Sequence, residues 1–236
     1  MHTGPVLNPE LDLDRTASAF AQGGRVHIRS ILTLDSAERV HRCLSQETDF
    51  SLVCQTGPDR AEAWRVANLT PQKEAELMNA AYAGACDGFH YLYDGHVLSR
   101  SGEAYSQASH YLAAITAFLN SAPFLDFARA ITGSPAIAFA DAQATRYRRG
   151  HFLNQHDDAN DKSRIAAYVL NMTPQWRWDW GGALLFSDRP GHVSEGYLPA
   201  FNALNVFAVP QPHLVGFVSP FAGAHRYSIT GWFRSR

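Results

Sequence analysis

The pattern of apolar and polar positions divides the chain near residue 134. Before it, apolar residues recur mostly at helical spacing; after it they fall in short runs separated by turn signals. Asp35, with Glu38 three residues on, predicts an N-cap and a helix to about Glu47. Ser51 to Gln55 reads as a short strand. Pro71 starts a second helix, with Glu74 and Glu76 in its first turns, running to about Cys86. Phe89 to Tyr93 is strand-like and Asp94-Gly95 predicts a turn. Ser106 to Asn120 and Pro123 to Ile131 predict two more helices, divided at Pro123 and ended by Gly133.

The second part predicts strands at Ile137 to Tyr147, Ile165 to Asn171, Ala183 to Phe186, Ala203 to Val209, Val215 to Ser219 and Tyr227 to Phe233. Glycine and proline punctuate them at Gly150, Pro174, Gly181-Gly182, Pro190-Gly191, Pro210 and Gly223. Such spacing indicates a β sandwich or barrel. The expected class is therefore α+β with a mainly β core. A jelly roll over 134–236 is packed against supporting helices in 1–133, all within a single domain, 1–236.

Composition narrows the function. Of the 236 residues, 46% are hydrophobic and 18% charged, which is a globular rather than a disordered balance. A formal net charge of -2 gives no general grip on nucleic acid. No apolar run has the length of a membrane helix. Met1 to Thr16 has neither a secretory signal nor a transit-peptide pattern, so cytoplasm is the expected compartment. Cys43, Cys54 and Cys86 are too few and too uneven for a disulfide framework and read as small buried apolar side chains.

The candidate chemistry lies in the second part. His156 and Asp158 stand two residues apart, so an extended Gln155 to Asp158 would turn both to one side. His213 supplies a second imidazole from elsewhere in the barrel. Two histidines and one carboxylate on one face of a metal leave the opposite positions open, as in non-haem Fe(II) oxygenases. The competing reading is that His156 to Lys162 is simply a polar surface loop. Arg226 and Ser228 alternate along a strand and would face the interior, with Tyr227 and Ile229 on the other side. A buried guanidinium requires an anion, and a carboxylate suits it best; an internal acid or an exposed edge would be the alternatives. Tyr147 could reach the same anion or be a core tyrosine.

Other residues are weaker candidates. Arg148-Arg149 reads as a solvated turn. His225 neighbours Arg226 but faces the opposite side of its strand. His151 is out of phase with His156, and His192 follows Pro190-Gly191 in an expected loop. Trp176, Trp178 and Trp180 are loop or core anchors, or a substrate wall near the barrel mouth. The stretch 89–109 is either a lid or a surface hairpin.

These stretches resemble the 2-oxoglutarate- and Fe(II)-dependent oxygenases of the prolyl hydroxylase type, and among them the catalytic domain of the Tpa1/Ofd1-like ribosomal prolyl hydroxylases. The resemblance is carried by Tyr147-Arg-Arg-Gly150, Gln155-His-Asp-Asp158, Tyr168-Val-Leu-Asn171 and Trp176-Arg-Trp-Asp-Trp180-Gly-Gly-Ala-Leu184. It continues through Asn202-Ala-Leu-Asn-Val-Phe207, His213-Leu-Val215 and Arg226-Tyr-Ser-Ile-Thr-Gly-Trp-Phe233, in the family's order. It covers roughly 140–236. The departures are Pro210-Gln-Pro212 before His213, a slightly long interval from His213 to Arg226, and no counterpart of the second domain of the eukaryotic ribosomal enzymes.

The resemblance implies a double-stranded β-helix, with His156, Asp158 and His213 as iron ligands. Arg226, aided by Ser228 and Tyr147, would hold the distal carboxylate of 2-oxoglutarate. It implies O2 as co-substrate, ascorbate as reductant, and hydroxylation of an unactivated C–H bond, peptidyl proline first. A free amino acid or small metabolite is the second substrate class. A metal-binding sensor that turns nothing over, or a Zn(II) hydrolase on the same ligands, is the rival outside the class. The sequence implies a protein, peptide or small-molecule partner and leaves the oligomeric state open.

Overall fold

The computed structural model describes residues 4–57, 60–100, 102 and 111–236. In chain order the elements are α1 (Leu13–Gly23), β1 (Arg25–Arg29), α2 (Leu34–Arg42), β2 (Ser51–Gly57), β3 (Arg60–Arg65), α3 (Pro71–Ala85), β4 (Tyr91–Ser99), α4 (Tyr111–Leu119) and α5 (Ala122–Thr132). There follow β5 (Phe139–Ala140), β6 (Ala142–Tyr147), β7 (Phe152–His156), β8 (Arg164–Met172), β9 (Leu184–Arg189), β10 (His192–Tyr197), β11 (Phe201–Ala208), β12 (His213–Val215) and β13 (Arg226–Arg234).

All strand pairs are antiparallel, and the principal order is β1-β11-β8-β13-β6-β4-β7-β12-β9-β10. β4 joins the two faces: its later residues pair with β6 and its first two with β7. An ion pair between Arg25 on β1 and Glu195 on β10 links the outermost strands, so the sheet curls into a nearly closed jelly roll. α1, α2, α4 and α5 cover the outside of the larger face, while α3 packs on β2 and β4. Val40, Leu119, Phe124 and Ile131 pack there on Tyr168, Leu170, Leu204 and Ile229. At roughly 1.5–3 kcal/mol for each large side chain removed from water, this layer is the main cohesive element. On β8, Ala166, Tyr168 and Leu170 face the helices while Ala167 and Val169 face the barrel interior, which explains its unbroken apolar run.

Local signals hold in places. Thr70 caps α3 by accepting from the Lys73 N–H at 3.2 Å, with Pro71 in the first turn. Gly133 ends α5 with φ +66°. Elsewhere the structure corrects the sequence reading. Thr33, not Asp35, precedes α2, and Asp35 lies within its first turn; the helix continues as a π turn over Cys43–Glu47. β4 runs straight through Asp94-Gly95, because Asp94 is fully buried against Arg146 and Arg148. Four strands had no predicted counterpart: β1, β3, β7 and β10, the last placing His192 in a hairpin rather than a loop. Cys43 and Cys54 are buried but Cys86 is exposed. The proposed helix start at 106–110 lies outside the described residues, as do 101 and 103–109 of the proposed lid at 89–109, whose described part is mostly the strand β4. No single described helix is long and apolar enough to cross a membrane.

Candidate metal centre

His156 is the last residue of β7 and pairs directly with His213, the first of β12. That register brings their rings to 4.1 Å between centroids. The expected i, i+2 alternation does not deliver Asp158. β7 has already ended, and Asp158 has φ +63°, so a left-handed turn brings its carboxylate back toward the imidazoles. His156 Nε2 lies 3.7 Å from Asp158 Oδ1, and His213 Nε2 lies 3.7 Å from Asp158 Oδ2. One donor atom from each of the three lies within 4.8 Å of the others.

The tautomers follow from the partners. His156 Nδ1 lies 2.9 Å from the Asn154 carbonyl and His213 Nδ1 lies 2.8 Å from the Gln211 carbonyl. A carbonyl only accepts, so both Nδ1 atoms carry the proton. Both Nε2 lone pairs then face the cluster, as a metal ligand requires. Burial, reinforced by His156, pushes His213 down to about 4, which keeps its imidazole neutral near pH 7. Two imidazole Nε2 atoms and an Asp side chain are a donor set that fits a divalent first-row metal with open coordination positions.

Beyond this cluster the interior ends at Arg226, which is 1% exposed. Its Nε and Nη1 have no acceptor among the described residues. β13 pairs with β6 so that Arg226 faces Tyr147 and Ser228 faces Thr145. The guanidinium lies 4.8 Å from the Tyr147 ring centre, and Ser228 Oγ shares a 2.8 Å hydrogen bond with Thr145 Oγ1. Burial pushes the Tyr147 phenol well above its usual value, against the opposing pull of Arg226, so it stays protonated and can donate. A desolvated cation with this little compensation is a site for a carboxylate.

The triad and Arg226 line one cavity of about 570 Å³. Phe89, Tyr91 and Tyr93 form a ladder along one wall, reaching from Phe89 against His156 (5.2 Å between ring centres) to Tyr93 stacked on Tyr147 at 5.4 Å. Trp232 stands in the cavity lining beside Asp158, donating from Nε1 to Oδ2 at 2.9 Å. The sequence reading missed this wall and Trp232. Extending the Arg226, Ser228 alternation by four residues would have found the indole, and the 89, 91, 93 alternation the ladder.

The remaining candidates fall elsewhere. Trp176 and Trp180 pack with Tyr147, Val218 and Ala222, and Trp178 is 80% exposed; none of the three lines the cavity. Arg148 is no solvated turn, since it bonds Asp94 and Glu74, while Arg149 donates to the Ala222 carbonyl. His151 is fully buried behind the site and held down at about 4 by burial. His225 and His192 lie outside the cluster.

The fold and this cluster define a jelly-roll protein with a two-histidine, one-carboxylate centre. Residues 142–234 match the 2OG-Fe(II) oxygenase superfamily, which supports a 2-oxoglutarate-dependent dioxygenase. A search of curated protein sequences gives no match. Among solved structures, a Pseudomonas putida prolyl-4-hydroxylase aligns with TM-score 0.60 at 20% identity, covering 95% of this chain and 100% of that one. An oxidoreductase of the 2OG-Fe(II) oxygenase family from Burkholderia pseudomallei aligns with TM-score 0.64 at 14% identity, covering 99% and 96%. A Trichoplax adhaerens prolyl hydroxylase, in complex with a hypoxia inducible factor oxygen degradation domain peptide fragment, aligns with TM-score 0.62 at 16% identity, covering 94% and 89%. At these identities the likeness is one of fold.

Proposed function

We propose that the protein is an Fe(II)- and 2-oxoglutarate-dependent dioxygenase that hydroxylates an unactivated C–H bond, with peptidyl proline as the substrate. The observation that carries this reading is the buried Arg226 guanidinium, whose Nε and Nη1 have no partner among the described residues, in the same cavity as the His156, Asp158, His213 cluster. A hydrolase on the same ligands has no use for a buried cation at that depth.

In this reading His156, Asp158 and His213 hold the iron. When bound, iron and 2-oxoglutarate supply the oxidising power, converting 2-oxoglutarate, O2 and R–H to succinate, CO2 and R–OH. Arg226 anchors the distal carboxylate, with Ser228 and the Tyr147 hydroxyl as added donors. Phe186 and Phe207 pack around the His213 ring and would keep water from that side of the ligand cluster. The aromatic wall at Phe89, Tyr91 and Tyr93 offers flat apolar faces against which a proline ring packs.

The peptidyl assignment rests on this wall and on the kind of enzyme the structural neighbours are. The narrower likeness to ribosomal prolyl hydroxylases rests on motif order alone. A free amino acid or small metabolite is the second reading, favoured by a cavity of small-ligand size. Incubation with Fe(II), ascorbate, labelled 2-oxoglutarate and proline-containing peptides tests the proposal. Peptide-dependent release of CO2 with hydroxyproline in the product is expected. Turnover stimulated only by small molecules would reassign the substrate, and metal binding with no CO2 release under any condition would sink the enzyme.

A further inference from the structure

The carboxylate in the cluster is the one ligand that no strand holds. His156 and His213 are fixed by their mutual ladder position and by carbonyl contacts to Nδ1. Asp158 lies past the end of β7 in a left-handed conformation, in a segment that returns to the sheet only at Arg164. Side chains must therefore set its orientation, and the geometry points to Trp232 as the positioning residue that aims Asp158 at the metal. This inference rests on the metal-centre reading above.

The indole is held on every side. Its backbone N–H donates to Asp141 Oδ1 at 2.7 Å. The Arg164 guanidinium lies over the ring at 3.7 Å, and that of Arg234 at 5.9 Å. Arg234 is in turn fixed by Asp141 Oδ2 at 2.7 Å, Asp161 Oδ2 at 2.8 Å and Ser163 Oγ at 2.6 Å. β13 thus grips the segment carrying Asp158 at two points: Trp232 on the carboxylate itself, and Arg234 three to five residues beyond it. Arg164 also approaches Asp158 Oδ1, but at 3.4 Å and with a full positive charge that competes with a cation. An indole N–H only donates and carries no charge. It occupies a lone pair of Oδ2 and fixes the carboxylate plane without repelling a metal. Partners of this kind outside the ligand set commonly contribute 10- to 100-fold in metal affinity.

The test is Trp232→Phe, which keeps a ring beneath Arg164 and removes the N–H. Co(II) and Fe(II) affinities are measured by chelator competition, the Co(II) ligand-field spectrum is recorded, and urea unfolding of the metal-free proteins reports the fold. The expected result is metal binding weakened about 10- to 100-fold with an altered Co(II) spectrum and a nearly unchanged urea midpoint. Trp232→His, which returns a ring N–H, should recover part of the loss. If Trp232→Phe does not fold, benzothienylalanine at 232 replaces the N–H by sulfur within the same bicyclic outline and is expected to show the same loss. Wild-type affinity and spectrum in a folded variant lacking the N–H would overturn the positioning role while leaving the metal centre intact. A wild-type protein that binds neither metal would overturn both.

Discussion

Arg226→Met separates a binding role for this residue from a structural one, because the two predict opposite signs in different measurements. Arg226 is 1% exposed, and its Nε and Nη1 find no acceptor among the described residues. Desolvating a guanidinium this fully is worth several kcal/mol against folding. The Tyr147 ring 4.8 Å away returns about 2 kcal/mol of that. Replacing the cation with a flexible apolar side chain of similar length should then leave the metal-free protein as stable as before, or about 1–2 kcal/mol more stable. Binding should change the other way. Two hydrogen bonds to a carboxylate, each worth about 1.5–3 kcal/mol, are lost, so the affinity for 2-oxoglutarate should fall by at least about two decades. Urea unfolding of the metal-free proteins gives the first quantity, and anaerobic calorimetry with Mn(II) in place of iron gives the second. A variant that binds 2-oxoglutarate within a few-fold of wild type, or that is clearly destabilised without ligand, refutes the reasoning. In that case the guanidinium has structural partners that outweigh its desolvation.

Other outcomes follow from the same structure. His156→Ala and Asp158→Ala should each abolish coupled succinate formation while circular dichroism stays native; full turnover by either would remove it from the ligand set. Below neutral pH the metal-free protein should lose stability. Burial holds His151 and His213 at about 4, so between that value and the unfolded value near 6.5 the unfolded chain binds more protons and stability falls with pH. Unfolding free energies that stay flat from pH 7 to pH 5 would contradict this. Of the three thiols, Cys86 should react with a thiol reagent in the native protein. Cys43 and Cys54, buried and each pushed up to about 11, should react only on unfolding; three equally fast thiols would show that the sheet and α2 open readily.

What the sequence made legible is what short-range patterns encode. Most strands of the second part, the ends of α3 and α5, and the three donor residues could be named from the sequence, but β7 and β10 could not. The failures have a shared cause, in that long-range partners override local preference. Asp94-Gly95 has the composition of a turn, yet Arg146 and Arg148 neutralise the acid and hold it in the middle of a strand. β1 is too short and charged to stand out, and it exists because β11 offers a free edge along five residues. The three donors do come together, but by a route other than the expected one: His156 and Asp158 meet through a left-handed turn, not through strand alternation. Trp232 went unnoticed because its role is visible only from across the barrel, at Asp158.

The placement of β13 also bears on synthesis. Its first residue supplies the deep cation and its later residues clamp the segment bearing Asp158, while its backbone fills the place between β6 and β8. A nascent chain still hiding this strand in the ribosome would own both imidazoles, paired through β7 and β12, but nothing to aim the carboxylate at them. Ion capture before β13 emerges should therefore be weak, so stray metal finds only an unaimed carboxylate on the half-made polypeptide.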